Sequence, residues 1–347
     1  MPPPGLLPPL PQEWTLTPEA RLGIFTTSII PHELTPYIHL NHQSDGVRPL
    51  AVIIVGQTGA GKTRLAPVLQ SAMTALGRQP AHFIADVYKT YHPFYSECIE
   101  KFPASASILA GLDARLWLTM ACEYAVAQRL DVLVESACRH PDDFCKLAEV
   151  FHRGGYMVKV AILAVPEALS RLGILVRYYR NLPEAQSGKL PLRLTPKKVH
   201  DDSYQGLGKA VQWVDEGGEV DQVVVVRRGN LVSYHNEREH MTRGGVKGRR
   251  RKWIKEAGAT KALETERRRA LSQEEKQMAL SDIEELRQLK DAKVDAEIVE
   301  IEKLITALLG LKKSAFEPYM GFVGQGKEFP ALEPLKADEF VAKGVVK

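Results

Sequence analysis

Eight consecutive residues, Gly56-Gln57-Thr58-Gly59-Ala60-Gly61-Lys62-Thr63, carry the clearest chemistry in the chain. They match G-x-x-x-x-G-K-[ST] in full. Glycines let backbone N–H groups fold around phosphate oxygens in conformations that side chains block. Lys62 has the reach for β- and γ-phosphates, and the Thr63 hydroxyl suits a Mg²⁺ ion. Two carboxylates stand at the ends of strand-like runs, Asp86 after His82–Ala85 and Glu135 after Asp131–Val134. In an open parallel sheet, ligands bind beyond the carboxyl ends of the strands. Asp86, 24 residues after Lys62, is suited to take a proton from an attacking hydroxyl, or simply to cap the next turn. Glu135 reads as the acid of a Walker B strand, holding Mg²⁺ or its water, or as a hydrogen-bonding group for an acceptor. Position alone does not separate the two. Arg171, Arg177, Arg180 and Arg193 follow. Transfer of a γ-phosphoryl group needs positive charge beside it, and planar guanidinium matches phosphate oxygens. Arg177, late in a helical stretch, and Arg193, in a polar loop, are the two best placed to project over such a group.

The elements that must position these groups are legible in outline. Ala51–Val55 is a continuous apolar, mostly β-branched run, as in a buried parallel strand. A helix is expected from Lys62 to about residue 76. Strands over 82–85, 131–134 and 158–165 alternate with helices over 111–129, 141–153 and 169–182, the last broken by Pro183. Within 111–129, Leu112, Leu116, Met120 and Tyr124 fall four residues apart, a helical spacing. Gln222–Arg227 and Leu231–Tyr234 flank Arg228-Gly229-Asn230 as a closing hairpin. This alternation predicts an α/β, P-loop kinase-like fold: a mostly parallel sheet flanked by helices, with a helical C-terminal arm. Three segments are expected. Residues 1–48 are a proline-rich lead with a helix starting at Thr17-Pro18. Residues 49–235 are the P-loop domain. Residues 236–347 hold a basic linker, a helical arm and an irregular tail.

Composition limits the alternatives. Of 347 residues, 44% are hydrophobic and 25% charged, which excludes a wholly disordered chain. No apolar run approaches the ~18 residues that span a bilayer, so no membrane contact is expected. The first basic residue is Arg21, which argues against a secretory signal. Cys98, Cys122, Cys138 and Cys145 form no C-x-x-C pair and read as reduced thiols of a cytoplasmic protein, although an exported effector would share these features. A net charge of +4 is too mild to imply nucleic acid. Residues 243–255 hold seven basic side chains and no acid, but Trp253 is the sole aromatic among them. A solvated linker, and not a nucleic-acid surface, is therefore expected. Ile298, Ile301, Ile305 and Leu308 follow a 3-4-3 spacing, so 257–309 reads as a helical arm that either binds a partner or folds back on the domain.

From Ala51 to Tyr234 the chain resembles the zeta-toxin family of bacterial P-loop kinases. The loop fits the family's Walker A segment. Asp86-Val-Tyr-Lys-Thr-Tyr-His-Pro93 is similar to its D-x-F-[KR]-x-x-H-P segment, and Glu135-Ser-Ala-Cys-Arg139 to its E-G-T-x-R segment. Ala164-Val-Pro166, Leu172-Gly173 and Arg177-Tyr178 resemble its A-V-P…L-G…R-Y helix. Arg193-Leu-Thr-Pro-Lys197 with His200-Asp201 resembles its R-A-T-P-K…H-D segment. Two departures stand out. Ser136 and Ala137 occupy the family's Gly-Thr positions, and the interval from Arg177 to Arg193 is a few residues longer than in the prototypes.

The resemblance implies a kinase that uses ATP or GTP with Mg²⁺ to phosphorylate the sugar 3′-hydroxyl of UDP-N-acetylglucosamine. Carried over, it makes Asp86 the general base, Lys62 and Thr63 the phosphate and Mg²⁺ residues, and Arg177 and Arg193 the γ-phosphate clamp. Glu135, Ser136 and Arg139 become acceptor-binding residues. Relatives of this fold phosphorylate other acceptors, including the NAD ribose, and a non-catalytic nucleotide-binding module is the other alternative. The resemblance also implies a small helical antitoxin, or a segment of this chain acting in its place. His92 and His200 fall in matched segments and are expected to pack and hydrogen-bond rather than react.

Overall fold

The computed structural model describes residues 11–40, 47–101, 106–186, 194–239 and 252–309. Six strands form one sheet: β1 (Leu50–Val55), β2 (Ala81–Ile84), β3 (Val132–Ser136), β4 (Met157–Leu163), β5 (Gln222–Val226) and β6 (Val232–Glu237), in the spatial order β2-β3-β1-β4-β5-β6. The first five run parallel, and β6 returns antiparallel to β5. The helices are α1 (Pro18–Ile24), α2 (Thr35–Leu40), α3 (Lys62–Ala75), α4 (Ala85–Tyr88), α5 (Tyr95–Lys101), α6 (Ala106–Gln128), α7 (Pro141–Arg153), α8 (Glu167–Gln186), α9 (Lys197–Asp215), α10 (Ala259–Arg268), α11 (Gln273–Arg287) and α12 (Ala292–Leu309). The expected mostly parallel, helix-flanked α/β sheet is the observed one. No helix among the described residues is long and apolar enough to cross a membrane.

β1 shows how the layers arise. All six of its residues are buried. Successive side chains point to opposite faces, so Ala51, Ile53 and Val55 enter one core while Leu50, Val52 and Ile54 enter the other. The first core is filled from α6, α7, α9 and α10 and from the N-terminal residues Phe25, Ile29 and Leu34. The second is filled from α3, α8, α11 and α12. The C-terminal helices thus contribute to both faces of the sheet. Ile298, Ile301 and Ile305 of α12 are buried in the second core beside Ile54 and Leu175. Ile298→Ala is expected to cost about 2–5 kcal/mol, the range for deleting a large buried aliphatic. Chemical unfolding measures it, and an unchanged midpoint would mean that α12 does not pack there.

Charge reinforces the same contact. Arg171 of α8 meets Glu297 and Glu300 of α12 at 2.8 and 2.9 Å, and Lys197 reaches Glu300 at 2.8 Å. Lys197 first and Arg171 second pull the Glu300 carboxyl down to about 2. A depressed carboxylate stabilises above its unfolded pKa and loses that effect as pH falls through the folded value. The window here lies between about 4.5 and 2. Glu300 is half exposed, so water screens the pair and its contribution is small.

Two local expectations differ from the structure. Helix α8 continues through Pro183 to Gln186, so the proline forfeits an i→i−4 bond near the C-terminal end without ending the helix. In α6 the helix is the expected one, but its four-residue apolar spacing runs beside the buried stripe, with Met120 and Tyr124 partly buried against the core. Leu112 and Leu116 are exposed, and the buried stripe is Ala110, Ala114, Trp117, Ala121 and Ala125. Small side chains let the helix approach the sheet closely, and the indole fills the gap.

Candidate active site

The chain moves from β1 to β2 and β3 on one side and to β4–β6 on the other, so a cleft opens beyond the carboxyl end of β1. The glycine-rich loop fills that edge. Gly59 and Gly61 have φ of +80° and +100°, and a Cβ on Gly59 would lie 2.0 Å from the Ser170 carbonyl oxygen. Glycine at position 59 is thus required by both backbone conformation and space. The loop delivers Lys62 as the first residue of α3, whose initial N–H groups and dipole favour an anion. No acidic residue lies in that first turn.

Lys62 Nζ donates to the carbonyl oxygens of Gly56, at 2.8 Å, and Gln57, at 3.3 Å. It folds over the loop's own backbone and is half-buried there. Burial pulls the ammonium below the usual lysine value, opposed by the negative groups Glu135 and Asp86, while Arg177 pushes in the same direction as burial. Three of the charges singled out by spacing therefore act on Lys62 from within electrostatic range.

Asp86 sits on the short helix α4, two residues beyond the end of β2. Its side chain is 77% exposed. Desolvation is the largest single influence and acts upward. Lys89, whose Nζ is 2.6 Å away, outweighs it together with Lys62 and Arg177, so the carboxyl is held below the usual aspartate value. The group is ionised at neutral pH and can only accept a proton or a hydrogen bond.

Glu135 lies inside β3, in register with Ile54 of β1 and Ile84 of β2. It is buried, and His82 Nε2 on β2 is 3.1 Å from its Oε1. The carboxylate is therefore held toward the β2 side, where Asp86 also stands. The neighbouring Ser136 hydroxyl accepts the Cys138 N–H at 3.2 Å, in a tight turn where Cys138 has φ +49°. Arg139 pairs loosely with Asp202 at 3.5 Å and lines an opening of ≈ 310 Å³ with His140, Gln205 and Lys209.

The three described arginines separate sharply. Arg177 is exposed, and its charge acts on both Lys62 and Asp86. Arg171 is buried against the glutamates of α12, and Arg180 is engaged by Asp282 and Glu285 of α11 at 2.7 and 2.6 Å. Those two fasten the C-terminal helices and do not face the cleft. Arg193 lies outside the described residues. So do Arg249, Arg250 and Arg251 of the basic run.

Other participants were not singled out by sequence. Arg228, in the β5–β6 turn, donates to the carbonyls of Gly59 and Leu169, each at 2.9 Å, and so braces the loop. Read alone, the turn Arg228-Gly229-Asn230 signals only a hairpin. His82 lacks any spacing signal, and Lys89 stands only at the [KR] position of the matched segment with no role assigned, yet they contact the two key carboxylates. The motif histidines have partners of a structural kind. His200 is buried between Ser170 Oγ, at 2.8 Å, and Asp201, at 3.0 Å, and burial lowers its pKa. His92 is buried 3.4 Å from Asp113.

Among the described residues no group of three or more His, Cys, Asp or Glu forms a metal cage. An oxygen-seeking Mg²⁺ shared with phosphates needs none, because phosphates and water supply most ligands. Thr63, exposed in the first turn of α3, offers a hydroxyl of the right chemistry.

The zeta toxin family model matches residues 38–239, a span that contains the loop, both carboxylates and Arg177. Toxin PezT of Streptococcus pneumoniae is 24% identical over 193 residues, 55% of this chain and 73% of that protein. Toxin zeta of Streptococcus pyogenes is 23% identical over 202 residues, 54% of this chain and 63% of that protein, so the match spans less than two thirds of its length. A solved structure from the PezAT chromosomal toxin–antitoxin system of Streptococcus pneumoniae shares the fold, with a TM-score of 0.59 at 17% identity, over 83% of this chain and 98% of that one. With the family model matching more than half of its length, the chain belongs to the zeta toxin family of P-loop kinases.

Proposed function

We propose that this kinase transfers the γ-phosphoryl group of ATP or GTP to the 3′-hydroxyl of UDP-N-acetylglucosamine. The observation that carries the reading is that Asp86, Glu135 and Arg177 all lie close enough to act on the charge of Lys62 in the loop. Asp86 takes the proton of the acceptor hydroxyl as its oxygen attacks the γ-phosphorus in line. The bond to the bridging oxygen breaks, and the nucleoside diphosphate leaves. Lys62 exchanges its carbonyl partners for phosphate oxygens, and Arg177 and Arg193 take up charge on the moving group. Glu135, fixed by His82, holds the acceptor, with Ser136 and Arg139 as further contacts. Thr63 would help hold Mg²⁺, which neutralises the β- and γ-phosphate charge when bound.

A partner antitoxin belongs to the same proposal, supported by the toxin–antitoxin system to which the similar solved structure belongs. Asp86 and Arg177 both remain exposed, so no described segment of this chain closes the cleft in its place.

An acceptor screen with γ-labelled ATP tests the reading, with Lys62→Ala as the blank. Label is expected on UDP-N-acetylglucosamine. Label on NAD instead would keep the kinase and replace the acceptor. Label on none of the acceptors would sink the reading.

A further inference from the structure

Three successive loop residues are each held from outside by a different downstream element. The Gly59 carbonyl accepts from Arg228 of the β5–β6 turn. The Thr58 N–H donates to Ser203 Oγ of α9 at 3.2 Å. Gln57 is held by Arg267 of α10, whose Nη2 donates to Gln57 Oε1 at 3.2 Å. The last contact crosses the longest stretch of chain, 210 residues.

The Gln57 side chain is fully buried, and both of its ends are engaged. Its Nε2 donates to the Val165 carbonyl at 2.7 Å and approaches Ser170 Oγ at 3.3 Å. Its backbone carbonyl is one of the two that receive Lys62 Nζ. Fixing the side chain therefore fixes the carbonyl that Lys62 uses while it waits for phosphate. Arg267 is itself pinned. Its guanidinium lies over the Tyr204 ring, 3.7 Å from the centroid. Its Nε is buried with no hydrogen-bond partner among the described residues. Burial lowers its pKa to about 10, so the charge persists at neutral pH. Burying a guanidinium with an unfilled donor is costly. Such a group is a poor choice for stability alone.

We propose that Arg267 is a positioning residue for donor binding, acting through Gln57 to hold the phosphate loop in its receptive shape. The C-terminal helices then supply part of the nucleotide site as well as part of the core. The inference rests on the proposed kinase reading only in taking a nucleoside triphosphate as the loop's ligand.

Calorimetric titration of the full chain with adenylyl imidodiphosphate tests it. Arg267→Ala is expected to weaken binding about tenfold, equivalent to about 1.4 kcal/mol. The KM for the acceptor should stay unchanged. Arg267→Lys should recover part of the loss, since an ammonium can donate to Gln57 but lacks the planar stack. Gln57→Leu should lose a similar factor, and adding Arg267→Ala to it should lose little more, because the two act as one unit. Wild-type affinity in Arg267→Ala, or full additivity with Gln57→Leu, would overturn the inference and leave the kinase reading standing. Binding of the analogue with the expected losses, but no acceptor labelled in the screen, would keep the inference and remove the acceptor assignment. Failure of the wild-type chain to bind the analogue would end both.

Discussion

Asp86→Asn should lower kcat for phosphoryl transfer by about 10²–10⁴-fold, the usual worth of a positioned general base. Donor affinity and thermal stability should stay near wild type, because the side chain is largely exposed and fills no core. The amide keeps the shape and removes the proton acceptor, so the loss belongs to chemistry rather than to folding. The pH profile gives an independent check. The Asp86 carboxyl is held below the usual aspartate value, with Lys89 the leading favourable neighbour. A base works when deprotonated. Activity should therefore hold as pH falls from neutral and fail only below the ordinary aspartate value of 3.8. Lys89→Met removes the strongest downward pull, so the acid limb should move to higher pH. An acid limb that stays fixed would mean that a group other than Asp86 sets it.

Arg177→Ala should lower kcat by about 10²–10³-fold, the range seen when one donor to a developing charge is lost. The residue is exposed in the middle of α8, so unfolding should be unaffected. Its charge acts on both Lys62 and Asp86, so it lies within electrostatic range of each. An interaction made mainly in the transition state lowers kcat and kcat/KM together. Arg177→Lys should recover little, because one ammonium cannot reproduce two parallel N–H donors. Equivalent alanine changes at Arg171 or Arg180 should act through the packing of α11 and α12 instead. Their readout is the unfolding transition, with kcat close to wild type in the folded fraction.

That contrast shows where sequence reasoning stops. β1 and the loop were legible because a β-branched run, a glycine-rich turn and a helix follow one another without interruption. Asp86 was legible from its distance to Lys62, although it stands on a turn of helix rather than at the strand end. For Arg171, Arg177 and Arg180, spacing along α8 says which residues share a face, not what comes to cover it. The partners of Arg171 are 126 and 129 residues away. Arg267 was invisible for a related reason. Arg267, Arg268 and Arg269 are consecutive, and nothing in their spacing says which of them becomes covered. In the fold, Arg267 reaches the phosphate loop while Arg269 is buried against Glu266 and Glu275. In α6 the leucines drew attention that the alanines deserved, because burial followed closeness of approach rather than side-chain size.

The central claim is that the terminal phosphate of a nucleoside triphosphate meets Lys62 and Arg177 with Asp86 facing it. A crystal structure of the chain with adenylyl imidodiphosphate and Mg²⁺ measures this directly. The account predicts γ-phosphate oxygens within hydrogen-bonding distance of Lys62 Nζ and the Arg177 guanidinium, with the Asp86 carboxylate on the open side of the phosphorus. Lys62 still bonded to the Gly56 and Gln57 carbonyls, with the γ-phosphate beyond the reach of Arg177, would contradict it.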